Sequence, residues 1–443
     1  MVRLALPVVI VQVGLMFMGV VDSLMVGRVS AQALAAVALG NLYFYGITIF
    51  GHGLLLALDP IVAQAVGARD EPAIARGVQR GILLAAGLTV GTTILLLLAG
   101  PLLALLQQPP DVAAVSGAYV RAVAPAQLPF YLFVVLRSVL QARHRVAPLV
   151  AVIVIANLMN AGLNWVFVFG HLGSPALGVV GSGMATCISR WAMPVLLLAA
   201  TWRELKPDLL PWRPEVLAWP PLRRTIALGA PIGLQMQLEY GVFAVAGVMT
   251  GWMGTDQLAG HQVALNLASL AFMVPLGISS AAAVLVGNAV GRGDMPEARR
   301  AALAALACGV VFMSASALTM LSLPGTLSRV YTADLGVIAV ASALIPIAGV
   351  FQVFDGLQVV SIGILRGAGD TRAPMTINLI GFWLLGLPVS WWLGLHLSQG
   401  PRGVWWGLTT GLIIVATILV LRVRARLSGQ VTRVVIDQVR EGV

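Results

Sequence analysis

At 443 residues, 59% apolar and only 10% charged, with a mean hydropathy of +0.94, the chain is too apolar for a soluble globular protein and long enough for many membrane spans. Its net charge of +10 would suit a nucleic-acid partner, but the basic residues sit in short loops between apolar runs and form no contiguous stripe, which excludes that class. Lys206 is the sole lysine, so no Walker A sequence exists and ATP-driven transport is excluded too.

Charged or Pro/Gly-rich boundaries mark twelve apolar runs, near 4–27, 34–66, 80–106, 116–142, 147–170, 176–201, 224–252, 258–290, 301–323, 334–365, 373–396 and 403–425. Each is long enough for the roughly 20 residues a helix needs to cross the hydrocarbon core. Barrel strands of about ten alternating residues do not look like this. The first run contains Asp22, is too long for a signal peptide and lacks a convincing cleavage site. The second carries Asp59 followed by Pro60, read as a helix-kink cap or a solvated mouth residue. Thirty uncharged residues separate Arg80 from Asp111, and of the 44 between Arg145 and Arg190 only His171 could carry charge. Cys187 and Cys308 fall in apolar helices, where small-residue packing is expected. Glu239 and Asp355 lie in the seventh and tenth runs.

With twelve spans, the loops fall on two sides. One side takes both termini and 21 of the 27 basic residues; the other has only Arg28, Arg121, Arg329 and Arg402, and Arg137 and Arg190 fall within spans. The positive-inside rule then predicts cytoplasmic termini.

The chain also repeats itself. Shifted ungapped by the distance from Pro7 to Pro231, Met25, Gly27, Leu34 and Ala35 meet Met249, Gly251, Leu258 and Ala259. The same shift brings Val62, Ala65, Gly67, Asp70 and Pro72 onto Val286, Ala289, Gly291, Asp294 and Pro296. Further on, Ala147, Pro148 and Trp165 match Ala373, Pro374 and Trp391 at a shift two residues larger, which sets Asp370 against His144. The expected organisation is an all-α polytopic membrane protein of two six-helix lobes, residues 1–201 and 222–425, with a cytoplasmic linker at 202–221 and a tail at 426–443. Six spans per lobe give the halves the same orientation about an axis along the membrane normal, with a central site between them.

An ionisable group at bilayer depth costs about 2.5–3.5 kcal/mol, so Asp22, Asp59, Glu239 and Asp355 are where an ion, a proton or a cationic substrate is expected. In the repeat register Glu239 faces Leu15 and Asp22 faces Ala246, so these acids are not shared framework. Gln235 lies one turn before Glu239 on the same face, and Gln352, Asp355 and Gln358 recur at intervals of three. The competing expectation is that each acid is neutral and bonded to a neighbouring helix, or paired with Arg366 or Arg190. Asn160 and Asn164, four apart, share one face of the fifth span, and Thr186 offers a hydroxyl on the sixth.

The segments Asp22–Gly27 and Val62–Ala68 resemble the multidrug and toxic compound extrusion (MATE) family. Ala230 through Glu239, Leu258 through Asn266 and Phe351 through Gln358 look like its NorM-type bacterial branch. The resemblance covers nearly the whole chain. It implies a secondary active exporter in the bacterial inner membrane that works as a monomer, needs no cofactor, and exchanges cationic amphipathic drugs or dyes for sodium or protons. It places a cation-coupling site at Glu239 and Asp355, and a sodium- or proton-linked cluster at Asp22, Asn160, Asn164 and Thr186. Some members carry an acid where this chain has Asn164, which removes one negative charge here. Asp, Asn and Thr oxygens suit a hard cation such as sodium. Gln235, Gln262, Asn266, Gln352 and Gln358 are the expected supporting or substrate-cavity residues, and His261 is expected in an interhelical hydrogen bond.

Two other functions fit the sequence less well. A lipid-linked oligosaccharide flippase of the same superfamily would line its cavity with several arginines, whereas the charges within these spans are mainly acidic. Gly367-Ala368-Gly369-Asp370 fits part of the intramembrane aspartyl protease pattern, but the Tyr-Asp pair is absent and Pro175-Ala176-Leu177 precedes it when it should follow.

Overall fold

Twelve helices long and apolar enough to cross a bilayer occur among the residues described by the computed structural model, 1–105 and 110–437. They are α1 (Val2–Gly27), α2 (Gln32–Gly67), α3 (Glu71–Leu97), α4 (Pro110–Ala142), α5 (Ala147–Phe169) and α6 (Gly178–Leu209), then α7 (Trp219–Gly251), α8 (Thr255–Arg292), α9 (Met295–Ser322), α10 (Leu335–Gly367), α11 (Arg372–His396) and α12 (Pro401–Ser428). The number and order match the sequence expectation. The third run differs: α3 begins at Glu71, nine residues early, and ends at Leu97, with Ala99–Leu105 a separate short helix. Charge marks a boundary in the linear sequence, but Arg76 and Arg80 sit in the first three turns of the helix and find partners there.

Two compact units divide the chain. One holds Met1–Val9 with Leu234–Val434; the other holds Ile10–Gly233 with the tail segment that begins at Val435. The boundaries therefore differ from those expected. α1 and α7 each pass from one unit to the other just beyond a proline, Pro7 and Pro231, the pair that set the repeat register.

The stretch expected as a linker, residues 202–221, is part of the second unit. α6 continues past a non-helical Thr201 (φ −124°, ψ 19°) to Leu209. Gln79, fully buried on α3, donates to the carbonyls of Asp208 (3.2 Å) and Pro211 (3.0 Å) and accepts from the Arg213 N–H (3.0 Å). Arg143 binds the buried Asp208 carboxylate at 2.6 Å. The tail likewise docks on this unit: Arg76 (2.7 Å) and Arg80 bind Asp437, and Arg224 donates to the Ile436 carbonyl at 2.8 Å.

The repeat is visible in backbone geometry within each unit. Helix α2 closes with Asp70 N–H on the Ala65 carbonyl, and α8 closes with Asp294 N–H on that of Ala289. Each closure puts the residue before the aspartate in the left-handed region: Arg69 at φ 56°, Gly293 at φ 76°. Asp70 and Asp294 then cap α3 and α9, each with a proline in the first turn, a cap worth about 1 kcal/mol. The turn after α4 repeats after α10, with Arg145 N–H on Leu140 O and Asp370 N–H on Leu365 O. This pairs Asp370 with Arg145, not with His144 as the sequence register had it. The second loop has one residue more between its left-handed residue and its proline, and the register changes there.

Packing in the first unit centres on α8 and α10. Small residues make it possible: a Cβ on Gly363 would lie 2.3 Å from the Ser279 carbonyl oxygen, and one on Gly367 would lie 2.5 Å from that of Ala283. In the second unit α2, α4 and α6 enclose Val37, Phe44, Tyr119, Val120 and Val123.

Candidate functional site

Asp22, the one acid of α1, reaches the interior of its unit among apolar residues, and α5 and α6 bring donors to meet it. Asn160 and Asn164 stack one turn apart on α5, and their amides donate to Asp22 Oδ1 at 3.1 and 2.7 Å. The Thr186 hydroxyl on α6 donates to Oδ2. The four residues expected together are together, each 4% exposed or less. Asn164 also donates to the Asn160 carbonyl at 2.9 Å, which locks the pair. Both amide oxygens, Asn160 Oδ1 and Asn164 Oδ1, are buried with no hydrogen-bond partner among the described residues. Orphan acceptors beside a carboxylate are the donor set a hard cation takes.

In the other unit, Glu239 on α7 and Asp355 on α10 interact as like charges. Gln358, one turn beyond Asp355, donates to Glu239 Oε1 at 3.2 Å, and Gln235 reaches the same carboxylate from one turn earlier on α7. Asp355 makes no side-chain hydrogen bond among the described residues. Two adjacent carboxylates, Asp355 buried and Glu239 partly so, strongly disfavour being ionised together unless a proton or a cation joins them. Gln358 Oε1 is another buried acceptor without a partner, so sodium would find oxygen ligands here as well. α7 is held by Trp383, whose indole donates to the Leu238 carbonyl at 3.1 Å from a π-helical stretch of α11, Leu379–Gly386. Helical irregularities of this kind recur at functional sites.

The supporting residues divide. Gln352 is fully buried and accepts from the Ser316 hydroxyl at 2.9 Å, so it braces α9 against α10. Gln262 and Asn266 bond each other at 3.4 Å on an exposed face of α8 and make no hydrogen bond to either acid among the described residues. They are not brought to the Glu239–Asp355 pair by direct contact. His261 makes the expected interhelical bond: the Trp405 indole donates to its Nδ1 at 3.1 Å. Asp59 lies in the first turn of Leu58–Gly67, just after α2 breaks at Leu56–Ala57, as a kink residue would. Asp370, the acid of the protease-like motif, caps α11 through the Ala373 N–H and binds Arg422 at 2.9 Å.

Sequence reading placed Arg190 as a possible partner of an acid but missed its setting. It follows Thr186 by one turn on α6, feels the Asp22 charge without forming an ion pair among the described residues, and lies against Phe44 and Phe130. The spacing from Thr186 was the available signal. The aromatic neighbours come from α2 and α4 and had none.

The MatE family profile matches residues 7–166 and again 231–392, two matches that start at the two prolines of the repeat. The multidrug resistance protein MdtK of Edwardsiella ictaluri is 37% identical over 428 residues, spanning 95% of this chain and 94% of the relative. A probable multidrug resistance protein NorM of Mesorhizobium japonicum is 38% identical, spanning 95% and 92%. Among solved structures, the eukaryotic MATE transporter AtDTX14 superposes with a TM-score of 0.89 at 21% identity, covering 96% of both chains.

Proposed function

The chain belongs to the MATE family of multidrug efflux transporters, and from that premise we propose that it exchanges cationic amphipathic drugs or dyes for sodium or protons by alternating access. The observation that carries this reading is the Glu239–Asp355 pair, two adjacent acids supplied with few hydrogen-bond donors. Their shared negative charge attracts either a coupling cation or a cationic drug. Competition between the two for one place makes exchange obligatory: a ligand shifts a conformational equilibrium only through differential affinity for the two states. Asp22 with its three donors serves as a second, single-charge site linked to the same cycle. The NorM-like acids Glu239 and Asp355 of the first unit favour sodium as the coupling ion. The protein works as a single chain in the bacterial inner membrane, with both termini on the cytoplasmic side that the arginine-rich loops mark.

Proteoliposomes loaded with a cationic dye decide the coupling. Efflux is expected on imposing an inward sodium gradient and to be weaker on a proton gradient alone. Equal efflux with no gradient of either ion would remove the antiport reading. Reporters fused after Ser428 and within residues 202–221 are expected on the cytoplasmic side, with a reporter at His171–Pro175 outside.

A further inference from the structure

Arg190 is a partly exposed charged side chain that the coupling scheme does not use, and its surroundings differ from those of the buried Arg80 and Arg137 of its unit. Arg80 binds Asp437 and Arg137 donates to Gln12 Oε1 at 3.3 Å. Among the described residues Arg190 has neither kind of partner. Its Cζ lies 5.2 Å from the centre of the Phe44 ring and 5.0 Å from that of Phe130, and its Nη1 is buried with no hydrogen-bond acceptor among the described residues. The rings offset part of the cost of taking a guanidinium out of water, but rings accept no in-plane N–H bond. A charged donor held from water without an acceptor is unfavourable, and such groups are kept where a partner arrives from elsewhere.

The direction of the side chain narrows the partner. The exposed apolar stripe of α6 is Met184, Ile188, Trp191 and Val195, the side a bilayer would wet. At 100° per residue Arg190 falls well away from that stripe, on the face of Thr186, and it is itself of intermediate exposure. The obvious partner within the unit is already engaged, since Asn160, Asn164 and Thr186 occupy both oxygens of Asp22. A partly exposed guanidinium beside two aromatic rings, with an unused donor in its fork, matches one ligand group best, a carboxylate bound through two parallel hydrogen bonds.

We propose that Arg190, set against Phe44 and Phe130, is the residue that recognises a carboxylate on the cargo. This rests on the exporter reading and names part of its substrate class. Arg190 is a specificity determinant and takes no part in cation coupling. Because Asp22 lies within its electrostatic reach, a bound carboxylate also feels that acid, and neutralising Asp22 strengthens carboxylate binding.

The test uses one rhodamine cation in two forms, its ethyl ester and its free carboxylic acid, with equilibrium binding to the purified protein read by fluorescence anisotropy. In Arg190→Gln the free acid is expected to bind about tenfold more weakly while the ester changes less than about twofold, a decade being about 1.4 kcal/mol. Arg190→Lys, which keeps the charge but loses the fork, should fall between for the acid. Asp22→Asn should tighten acid binding and leave its dependence on Arg190 intact. Equal weakening of both dyes in Arg190→Gln, or of neither, would overturn the proposal. If that variant does not fold, an acid-to-ester ratio in Arg190→Lys equal to that of the unmodified protein does the same. Gradient-driven efflux of the ester is measured separately: its absence alongside Arg190-dependent acid binding upholds the site and counts against the exporter reading.

Discussion

Asp22 and the Glu239–Asp355 pair are both acids placed by apolar helices, but the protein surrounds them in opposite ways. Around Asp22, three neutral side chains from α5 and α6 supply one hydrogen bond each, so a single negative charge is held with most of its lone pairs satisfied. Around Glu239 and Asp355 there are two carboxylates facing each other, with Gln358 and Gln235 bonding only Glu239. The first arrangement tolerates a charge. The second demands a counter-charge, because repulsion between two acids in a poorly solvated place is relieved only by a proton or a cation. The same residue chemistry therefore yields a single acid supplied with donors in one unit and an acid pair short of them in the other.

The largest effect should come from disarming the demanding site. Glu239→Gln with Asp355→Asn removes the repulsion and the attraction together, so gradient-driven efflux should fall by about a hundredfold or more, the kinetic equivalent of the ~3 kcal/mol that breaking a buried charge interaction costs. The fold should survive, since fewer charges are buried, and thermal unfolding in detergent checks that. Efflux at the unmodified rate from a well-folded double variant would end the division of roles.

Asp22→Asn should be milder and different in kind. Turnover should drop by about tenfold, the scale of one charge-assisted interaction, while equilibrium affinity for a cationic drug stays within about threefold. Tryptophan quenching for binding and dye efflux for turnover separate the two. An affinity loss as large as that of Asp355→Asn would put Asp22 in the drug site.

The comparison can also be sharpened by making the sites alike. Asn164→Asp places a second carboxylate beside Asp22 and removes one of its donors, recreating the imbalance of the other unit. Half-maximal efflux should then need less sodium, in line with the way ligand charge count tunes cation affinity. An unchanged sodium titration would mean that the donor pattern, and not the charge count, governs that unit.

The smallest effect belongs to a contact outside both sites. Burial works against the Asp437 charge, but hydrogen bonds from Arg80 and Arg76, and then their charges, outweigh it and hold the carboxyl below the ordinary carboxylate range. Stability from a depressed acid is present in full above its unfolded value, about 3.9, and is lost as pH falls through the lower folded value. Protection of the amides of residues 431–437, measured relative to their intrinsic exchange rates, should therefore be constant from neutral pH to about pH 5 and fall only in stronger acid. Asp437→Asn should show that lower protection already at pH 7, with efflux unaltered. Protection that falls between pH 7 and pH 5 in the unmodified protein would show that another group holds the tail.

Much of this was legible in the sequence, because membranes make sequence unusually informative. Apolar runs bounded by charge give helices, since a chain crossing lipid must satisfy its own backbone. The repeat at Pro7 and Pro231 fixed which loops correspond, and both ends of that register recur as matching caps at Asp70 and Asp294. The acids stood out because nothing apolar explains a carboxylate at that depth, and the spacing of Asn160 and Asn164 put two amides on one helix face. Composition, span order and the identity of the charged positions are local or additive properties, and a linear string carries them completely.

Tertiary packing decided the rest. Which donors reach which oxygens of Asp22 depends on the approach of α5 and α6 to α1, more than a hundred residues apart in the chain. That Gln352 braces Ser316 while Gln358 reaches Glu239 follows from how α9 and α7 approach α10, although the two glutamines belong to the same helical stripe. Charged helix ends such as Arg76 and Arg80 look like boundaries in a linear reading and become interior once a distant Asp437 folds back onto them. The setting of Arg190 needs Phe44 and Phe130 from two other helices. Periodicity says which face of a helix a residue occupies; only the fold says what stands opposite it, and at these sites the chemistry depends on what stands opposite.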